Sequence, residues 1–130
     1  MKYTNIVIGI IIKKNKIYIT KARKKKYVLD LWEFPGGKVK ENENLTYSLK
    51  RELSEEVGLK ILRFRFFRCI KYFYKKIKLY FFLITRWKGR IYSKEGYLYK
   101  WIFLDDLKYF NFPSPNSHII HDLEKMIFFK

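Results

Sequence analysis

The stretch GKVKENENLTYSLKRELSEEVGL, residues 37–59, decides the fold of this chain of 130 residues. After Asn44, leucine or valine recurs at every fourth position, which predicts a helix with one apolar face. Asn44 is a suitable N-cap, and Gly58 stands at the C′ position, where a left-handed residue commonly ends a helix. The pattern therefore predicts a helix over residues 45–57.

Three glutamates share one side of this helix. Glu52, Glu55 and Glu56 stand at positions i, i+3 and i+4, so their side chains project within about 100° of one another. Neighbouring like charges destabilise a helix unless a cation is shared, although an exposed helix tolerates that cost. Oxygen-only ligands are typical of Mg²⁺, Mn²⁺ or Ca²⁺ sites, and phosphates from a substrate would favour Mg²⁺. The cluster predicts a divalent metal site, with a charged, solvated helix face as the alternative.

Charge and glycine also connect the helix to the loop before it. Glu43 precedes the helix, and Arg51 lies two turns further on, near enough for its guanidinium to reach back in a bidentate pair. A turn is predicted at residues 35–37, Pro-Gly-Gly, where missing Cβ atoms would let a backbone carbonyl approach an ion or a phosphate. Both features would hold the loop over the metal.

The rest of the chain alternates β-branched or aromatic runs with turns. No repeat, linker or low-complexity segment divides it, so we predict one α/β domain over residues 1–130. A second helix is predicted over residues 117–128 from the helical spacing of its apolar residues. Strands are predicted over residues 3–12, 16–21, 31–34, 64–74, 77–86 and 97–104, the first two as a hairpin, with a helical turn at 105–107.

The net charge of +17 leaves two interpretations open. A basic surface attracts anionic substrates and could bind nucleic acid. Lys, Ile, Phe, Tyr and Asn, which A/T-rich codons encode, supply 67 of the 130 residues, and this bias favours mutational drift as the source of the charge. The aromatic run at residues 80–82 could stack on RNA, but a strand covered on both faces is the favoured interpretation.

The sequence has no signal for a membrane or secreted protein. No apolar run approaches the roughly 20 residues that cross a bilayer, and the amino terminus lacks the pattern of a signal peptide. We expect the protein in the cytoplasm, as a monomer. Cys69, the single cysteine, cannot form an internal disulfide and is predicted to be a buried thiol.

Residues 37–59 match the Nudix box, Gly-x5-Glu-x7-Arg-Glu-U-x-Glu-Glu-x-Gly-U with U aliphatic, at every fixed position. Residues 32–37, 94–96 and 112–116, together with Trp101, are similar to the MutT branch, so the resemblance covers nearly the whole chain. It implies a Nudix-type α/β/α sandwich, with a mixed β-sheet between helices. It also implies hydrolysis of a nucleoside triphosphate, 8-oxo-dGTP, to 8-oxo-dGMP and pyrophosphate, which removes oxidised guanine from the DNA precursors and prevents mutation.

The resemblance also implies the catalytic chemistry. Water would attack the β-phosphorus, and cations must neutralise the charge that grows on the bridging oxygen. Lys38 and Arg23 are available for that task, and members of the family differ on which glutamate is the general base. The implied ligands of Mg²⁺, or of Mn²⁺ as a substitute, are Gly36 through its carbonyl oxygen, Glu52, Glu55, Glu56 and Glu95. The implied catalytic residues are Glu52, Glu95, Arg51 and Lys38.

A site for the base follows from the same resemblance. The Asn116 carboxamide has a donor and an acceptor, so it would pair with a purine edge as the matching Asn does in the family. Capping of the second helix is the alternative. Phe34 would pack under the base or belong to the core. The implied substrate-binding residues are Arg23, Glu33, Phe34, Pro35, Gly36 and Asn116.

Two departures from the family pattern leave base selectivity open. Arg23 is shifted by one residue from the family's arginine, and Lys21 is the alternative. A second arginine is replaced by Lys75 or Lys76, which cannot fork as Arg does. Two other functions therefore remain: a Nudix pyrophosphohydrolase of nucleotide sugars or RNA 5′ ends, and a basic nucleic-acid-binding protein with a vestigial box.

Overall fold

Seven strands, two α-helices and one 3₁₀ helix form within the residues that the structure, a computed structural model, describes: 2–21, 31–93, 98–113 and 116–126. The strands are β1 (Thr4–Lys13), β2 (Lys16–Lys21), β3 (Trp32–Glu33), β4 (Gly36–Lys38), β5 (Lys60–Tyr72), β6 (Ile77–Lys88) and β7 (Tyr99–Phe103). The helices are α1 (Leu45–Val57), the 3₁₀ helix Leu104–Tyr109 and α2 (Asn116–Glu124).

Strand β1 is the centre of a mixed sheet. It pairs in parallel with β6 from Thr4 to Ile11, antiparallel with β4, and antiparallel with β2 at its end. Strand β5 extends the sheet beyond β6, and β2 pairs with β3 and β7 on the other side. Because β1 is covered on both faces, it reads as a nearly continuous apolar run.

Helices cover both faces of this sheet. The apolar residues of α1 pack on one face against Val7, Ile11 and Phe82. The 3₁₀ helix and α2 pack on the other face against Ile10 and Phe81. This arrangement confirms the predicted α/β/α sandwich, and it confirms that the aromatic run in β6 is buried on both faces.

Helix α1 has the bounds and caps that its sequence predicts. The backbone N–H of Tyr47 donates to Asn44 Oδ1 at 2.8 Å, and Gly58 adopts φ 73° and donates to the Ser54 carbonyl at 3.1 Å. A Cβ at Gly9 would stand 2.7 Å from a methyl group of Leu53. Gly9 therefore lets α1 approach β1 closely, which fixes the height of the helix over the sheet.

The predicted turn at residues 35–37 is wrong. Gly36–Lys38 forms β4, in which Gly36 pairs with Ile8 and Gly37 with Val7. A Cβ at Gly36 would overlap the Val7 carbonyl group, so the missing side chain allows close strand pairing rather than a reversal of the chain.

The predicted burial of Cys69 is also wrong, because its side chain is exposed. It lies on β5, whose far edge pairs with no other described strand. Only Ile61 and Phe67 are buried on this strand. An apolar run on such a strand faces solvent on one side.

No helix in the described ranges is long and apolar enough to span a membrane.

Candidate active site

A cavity of about 270 Å³ opens between β1, β4, β6 and the start of α2. Its floor consists of apolar side chains from β1 and β6, among them Ile8 and Leu79. Residues that are far apart in sequence meet at its walls. Those implied by the family resemblance are Glu33, Phe34, Gly36, Glu56 and Asn116.

Strand β4 positions two of the three helix glutamates. The backbone N–H of Gly36 donates to Oε1 of Glu56 at 2.9 Å. The Glu52 carboxyl group lies directly over Gly37, since a Cβ there would overlap all three carboxyl atoms. The glycines therefore bring the backbone of β4 against the acids of α1, at the edge of the cavity.

Arg51 links the loop, β4 and the acids of α1. It forms the predicted bidentate pair with Glu43, through Nε at 2.5 Å and Nη2 at 3.0 Å. Nη2 also donates to the Lys38 carbonyl oxygen at 3.3 Å. Nη1 donates to Glu52 and Glu55, each at 3.2 Å. One guanidinium thus orients the loop and two of the three helix carboxylates.

The ion pair changes the titration of both partners. The hydrogen bonds from Arg51 lower the pKa of Glu43 from its ordinary value of 4.5 to about 2. The same contact with Glu43 is the main cause of a raised pKa at Arg51, with smaller contributions from Glu52 and Glu55. Glu43 is therefore charged throughout the neutral range.

Acid should weaken the fold partly through Glu43. Because its pKa is lowered on folding, its contribution to stability is present above pH 4.5 and is lost as the pH falls from 4.5 to about 2. In Glu43→Gln the loss of unfolding free energy between about pH 6 and about pH 3 should be smaller than in the unaltered protein. Urea unfolding at both pH values measures the difference, and equal losses would contradict the prediction.

Replacing each glycine of β4 by alanine should have a different effect: the change at Gly37 should mainly lower activity, and the change at Gly36 should mainly lower stability. Gly37→Ala displaces the Glu52 carboxylate and should lower kcat by about 10²-fold, because a shift of about 1 Å can misalign a catalytic group. Gly36→Ala meets the backbone of β1, which cannot move aside, and should lower stability by more than about 2 kcal/mol. Steady-state kinetics and urea unfolding check both variants. Full activity in Gly37→Ala would show that Glu52 does not need this position.

The acids have the donor chemistry of a divalent metal site. Glu52 and Glu55 already share one cation, the Arg51 guanidinium, while Glu56 is held by the Gly36 backbone. Among the residues the structure describes, no three His, Cys, Asp or Glu side chains converge as a metal site. Glu95 lies outside the described residues. Hard oxygen donors fit Mg²⁺ or Mn²⁺, and which of them bind the ion stays a prediction.

Asn116 and Phe34, the residues of the predicted base-binding wall, line the same cavity. Asn116 is only 6% exposed and is the first residue of α2. Base recognition and capping of α2 by its carboxamide both stay predictions. Phe34 stacks on Phe112, with ring centroids 5.1 Å apart, and both lines the cavity and belongs to the core.

The structure distinguishes between some of the basic residues. Lys75 lines the cavity, whereas Lys76 does not. Lys21 places its ammonium group 4.7 Å from the centre of the Trp32 ring, outside the cavity lining. The Lys38 side chain is exposed, and only its carbonyl oxygen is known to contact Arg51. Arg23 lies outside the described residues.

Pro35 is buried, and its carbonyl oxygen accepts a hydrogen bond from Gly9 N–H at 2.8 Å. This bond ties the residue before β4 to β1, and Pro35 is not among the residues that line the cavity. Tyr72 and Pro113 also line the cavity. Pro113 belongs to the family-like stretch 112–116, whereas Tyr72 was not selected from the sequence. Tyr72 stands on β5 and reaches the site only through pairing of β5 with β6.

Tyr18 is a further residue that sequence reasoning missed. It is fully buried, and its hydroxyl has no hydrogen-bond partner among the residues that the structure describes. Burial raises the pKa of the Tyr18 phenol, and the nearby Tyr99 and Glu56 raise it further. The phenol is therefore neutral beside the acids and adds no charge to them.

These features define the class of protein. The sandwich brings together three glutamates of α1, a glycine strand and an Arg51–Glu43 clamp, and Glu56 and the glycines also line the cavity. A family model for the NUDIX domain matches residues 2–123, and the chain belongs to the Nudix family.

Particular members of the family are similar over nearly the whole chain. The chain is 99% identical, over all of both sequences, to a protein of Buchnera aphidicola subsp. Schizaphis graminum (strain Sg) named 8-oxo-dGTP diphosphatase. It is 35% identical to the 8-oxo-dGTP diphosphatase of Escherichia coli (strain K12), over 97% of this chain and 100% of that protein. It is also similar to a solved MutT structure from work on Aliivibrio salmonicida and Vibrio cholerae, with a TM-score of 0.86 and 31% identity over 94% of this chain and 97% of that one. Hydrolases of this family generally need a divalent metal ion.

Proposed function

We propose that this protein hydrolyses 8-oxo-dGTP to 8-oxo-dGMP and pyrophosphate. One observation carries the proposal: a single cavity is lined by both Glu56 and Asn116, which lie 60 residues apart in the sequence. The first suits a phosphate-bound cation, and the second suits a purine edge. The names of its relatives in Buchnera and Escherichia coli support the same substrate.

Asn116, Phe34 and Lys75, which line the cavity, recognise the nucleobase. Asn116 offers a donor and an acceptor from a buried position, where an unmatched polar group is costly. Phe34 packs against one face of the base and is held in place by Phe112. Lys75 adds a positive charge to the same cavity. The removal of oxidised guanine from the DNA precursors follows from this selectivity.

The acids of α1 carry the reaction. Glu52, Glu55 and Glu56 would hold a divalent ion, which would polarise the attacking water and neutralise charge on the phosphates. The Arg51 guanidinium donates hydrogen bonds to the Glu52 and Glu55 carboxylates, and the Gly36 N–H donates one to Glu56. These bonds orient the three acids. Either Glu52 or Glu95 accepts the proton of the water that attacks the β-phosphorus, and Lys38 and Arg23 stabilise the charge on the bridging oxygen.

We further propose that the ion is Mg²⁺, with Mn²⁺ as a substitute, because the donors are hard oxygens that share the ion with phosphate. The full ligand set is the Gly36 carbonyl oxygen with Glu52, Glu55, Glu56 and Glu95. The protein acts as a monomer in the cytoplasm, where the nucleotide pool is located.

Turnover of 8-oxo-dGTP, ADP-ribose and capped RNA, each with and without Mg²⁺, tests this function. The expected result is Mg²⁺-dependent release of 8-oxo-dGMP and pyrophosphate, with much slower turnover of the other two substrates. Equal rates on all three would make the protein a Nudix pyrophosphohydrolase of broader scope. Metal-independent binding of the RNA without turnover of any substrate would support the alternative of a nucleic-acid-binding protein with a vestigial box.

A further inference from the structure

A second cavity, of about 590 Å³, lies at the far end of the sheet from the active site. Lys13, Lys14, Lys16, Arg90 and Trp101 contribute to its lining. It adjoins a cleft of about 380 Å³, which also has Lys13 and Lys14 in its lining and adds Arg86 and Trp87. We call these two adjoining volumes the basic cleft. They share no lining residue with the active-site cavity.

The parallel pairing of β1 and β6 explains why so many cations meet here. Both strands end at the same edge of the sheet, where Ile11 pairs with Ile84 and the chain continues to Lys13 and Arg86. Two residues with positive φ, Lys14 and Asn15, then turn the chain back into β2. The active-site cavity uses the opposite ends of β1 and β6, so the two sites are about 20 Å apart at the rise of a β-strand.

The basic cleft carries five positive side chains, from Lys13, Lys14, Lys16, Arg86 and Arg90, and no acid among those of its lining residues that the structure describes. Within the described ranges none of the five forms an ion pair. Asp105 and Asp106 begin the 3₁₀ helix beside the hairpin but do not line the cleft. Like charges gathered in a concave surface repel one another and attract a polyanion.

Aromatic rings accompany these charges. Trp87 and Trp101 stack on each other, with ring centroids 6.3 Å apart and planes 18° apart. Trp101 also packs edge-on against the buried Tyr18 ring, at 5.4 Å between centroids. Both tryptophans remain partly exposed. They form a rigid platform, and such platforms bind the bases of single-stranded nucleic acids by stacking.

We propose that the basic cleft binds single-stranded nucleic acid, with phosphates at the five cations and bases on the exposed parts of Trp87 and Trp101. The cations lie on β1, the turn between β1 and β2, β2, β6 and the segment after β6. They extend across two adjoining volumes, which suits an extended strand better than one compact nucleotide. Only unpaired bases can reach an aromatic platform. This function is independent of the proposed hydrolysis.

Fluorescence anisotropy with a labelled oligothymidine of about 12 nucleotides tests the proposal. The double variant Lys14→Ala/Arg90→Ala should weaken binding by about tenfold, and should reduce the slope of log Kd against log salt by about 1.4. The matched control, Lys50→Ala/Lys125→Ala, removes the same charge from exposed positions on α1 and after α2. It should weaken binding by less than about threefold. Equal weakening in both variants would overturn the proposal and assign the binding to general charge.

Tryptophan fluorescence tests the stacking. Binding should quench the fluorescence of the two cleft tryptophans, and Trp87→Phe should reduce the quenching. Unchanged fluorescence at saturation would overturn the stacking.

Competition experiments test the class of ligand. Pyrophosphate, duplex DNA or phosphatidylserine vesicles should compete weakly with the labelled oligothymidine. Competition equal to that of the unlabelled single strand would assign the cleft to that ligand instead. Hydrolysis of 8-oxo-dGTP should remain unchanged in Lys14→Ala/Arg90→Ala, since neither residue lines the active site.

Discussion

Replacing Glu52 by Gln is expected to lower kcat for 8-oxo-dGTP by at least about 10²-fold while the fold remains intact. The substitution keeps the size of the side chain and removes its negative charge. Glu52 lies over Gly37 and accepts a hydrogen bond from Arg51 at 3.2 Å. A neutral amide there can neither attract a divalent ion nor accept a proton from water. Steady-state kinetics at saturating Mg²⁺ measure the effect.

Glu41→Gln is the matched control for this variant. Glu41 is exposed in the loop before α1, so the same change of charge should leave kcat within about twofold. Thermal unfolding of both variants should be close to that of the unaltered protein. Wild-type activity in Glu52→Gln would remove Glu52 from the mechanism, whereas a large loss in Glu41→Gln would attribute the effect to net charge.

Replacing Asn116 by Ala should reduce the preference for 8-oxo-dGTP over dGTP by about 10²-fold or more. A site that hydrogen-bonds a base loses discrimination when the buried donor and acceptor are removed. Asn116 is buried at the cavity wall, distant in sequence from the acids of α1. Activity on dGTP should therefore fall much less than activity on 8-oxo-dGTP. The ratio of kcat/KM for the two nucleotides measures the change.

Asn116→Asp separates base recognition from a role in starting α2. Asp is at least as good as Asn near the beginning of a helix, so this variant should fold normally. It replaces the amide donor by an acceptor and should still lose selectivity. Recovery of full selectivity in Asn116→Asp, or equal losses on both nucleotides in Asn116→Ala, would favour the helix-capping role.

The sequence predicted α1 accurately because the signals for that helix are local. Its N-cap, its apolar period and its left-handed Gly58 all lie within one stretch of chain, and so does the Arg51–Glu43 pair. The apolar patterns predicted an order of strands and helices, and the resemblance to the Nudix family implied their arrangement as an α/β/α sandwich. The second helix begins at Asn116, one residue before the predicted start, and ends at Glu124, before the predicted end at residue 128.

Features that depend on distant pairing were not predictable in this way. The glycines of β4 resemble a turn in sequence, and only their fit against Val7 and Ile8 makes them a strand. Tyr72 reaches the cavity through the pairing of β5 with β6, and the basic cleft exists because β1 and β6 run parallel. Lys75 was named as one of two alternatives, and only the structure places it, rather than Lys76, at the cavity. Composition gave the total charge but not its location.

The ratio of kcat/KM for 8-oxo-dGTP to that for dGTP, measured with Mg²⁺ and with both products identified, tests the account most directly. The Asn116 wall and the acids of α1 together predict a ratio of at least about 10² in favour of the oxidised nucleotide. They also predict a monophosphate and pyrophosphate as products. A ratio near one, or release of inorganic phosphate, would contradict the account.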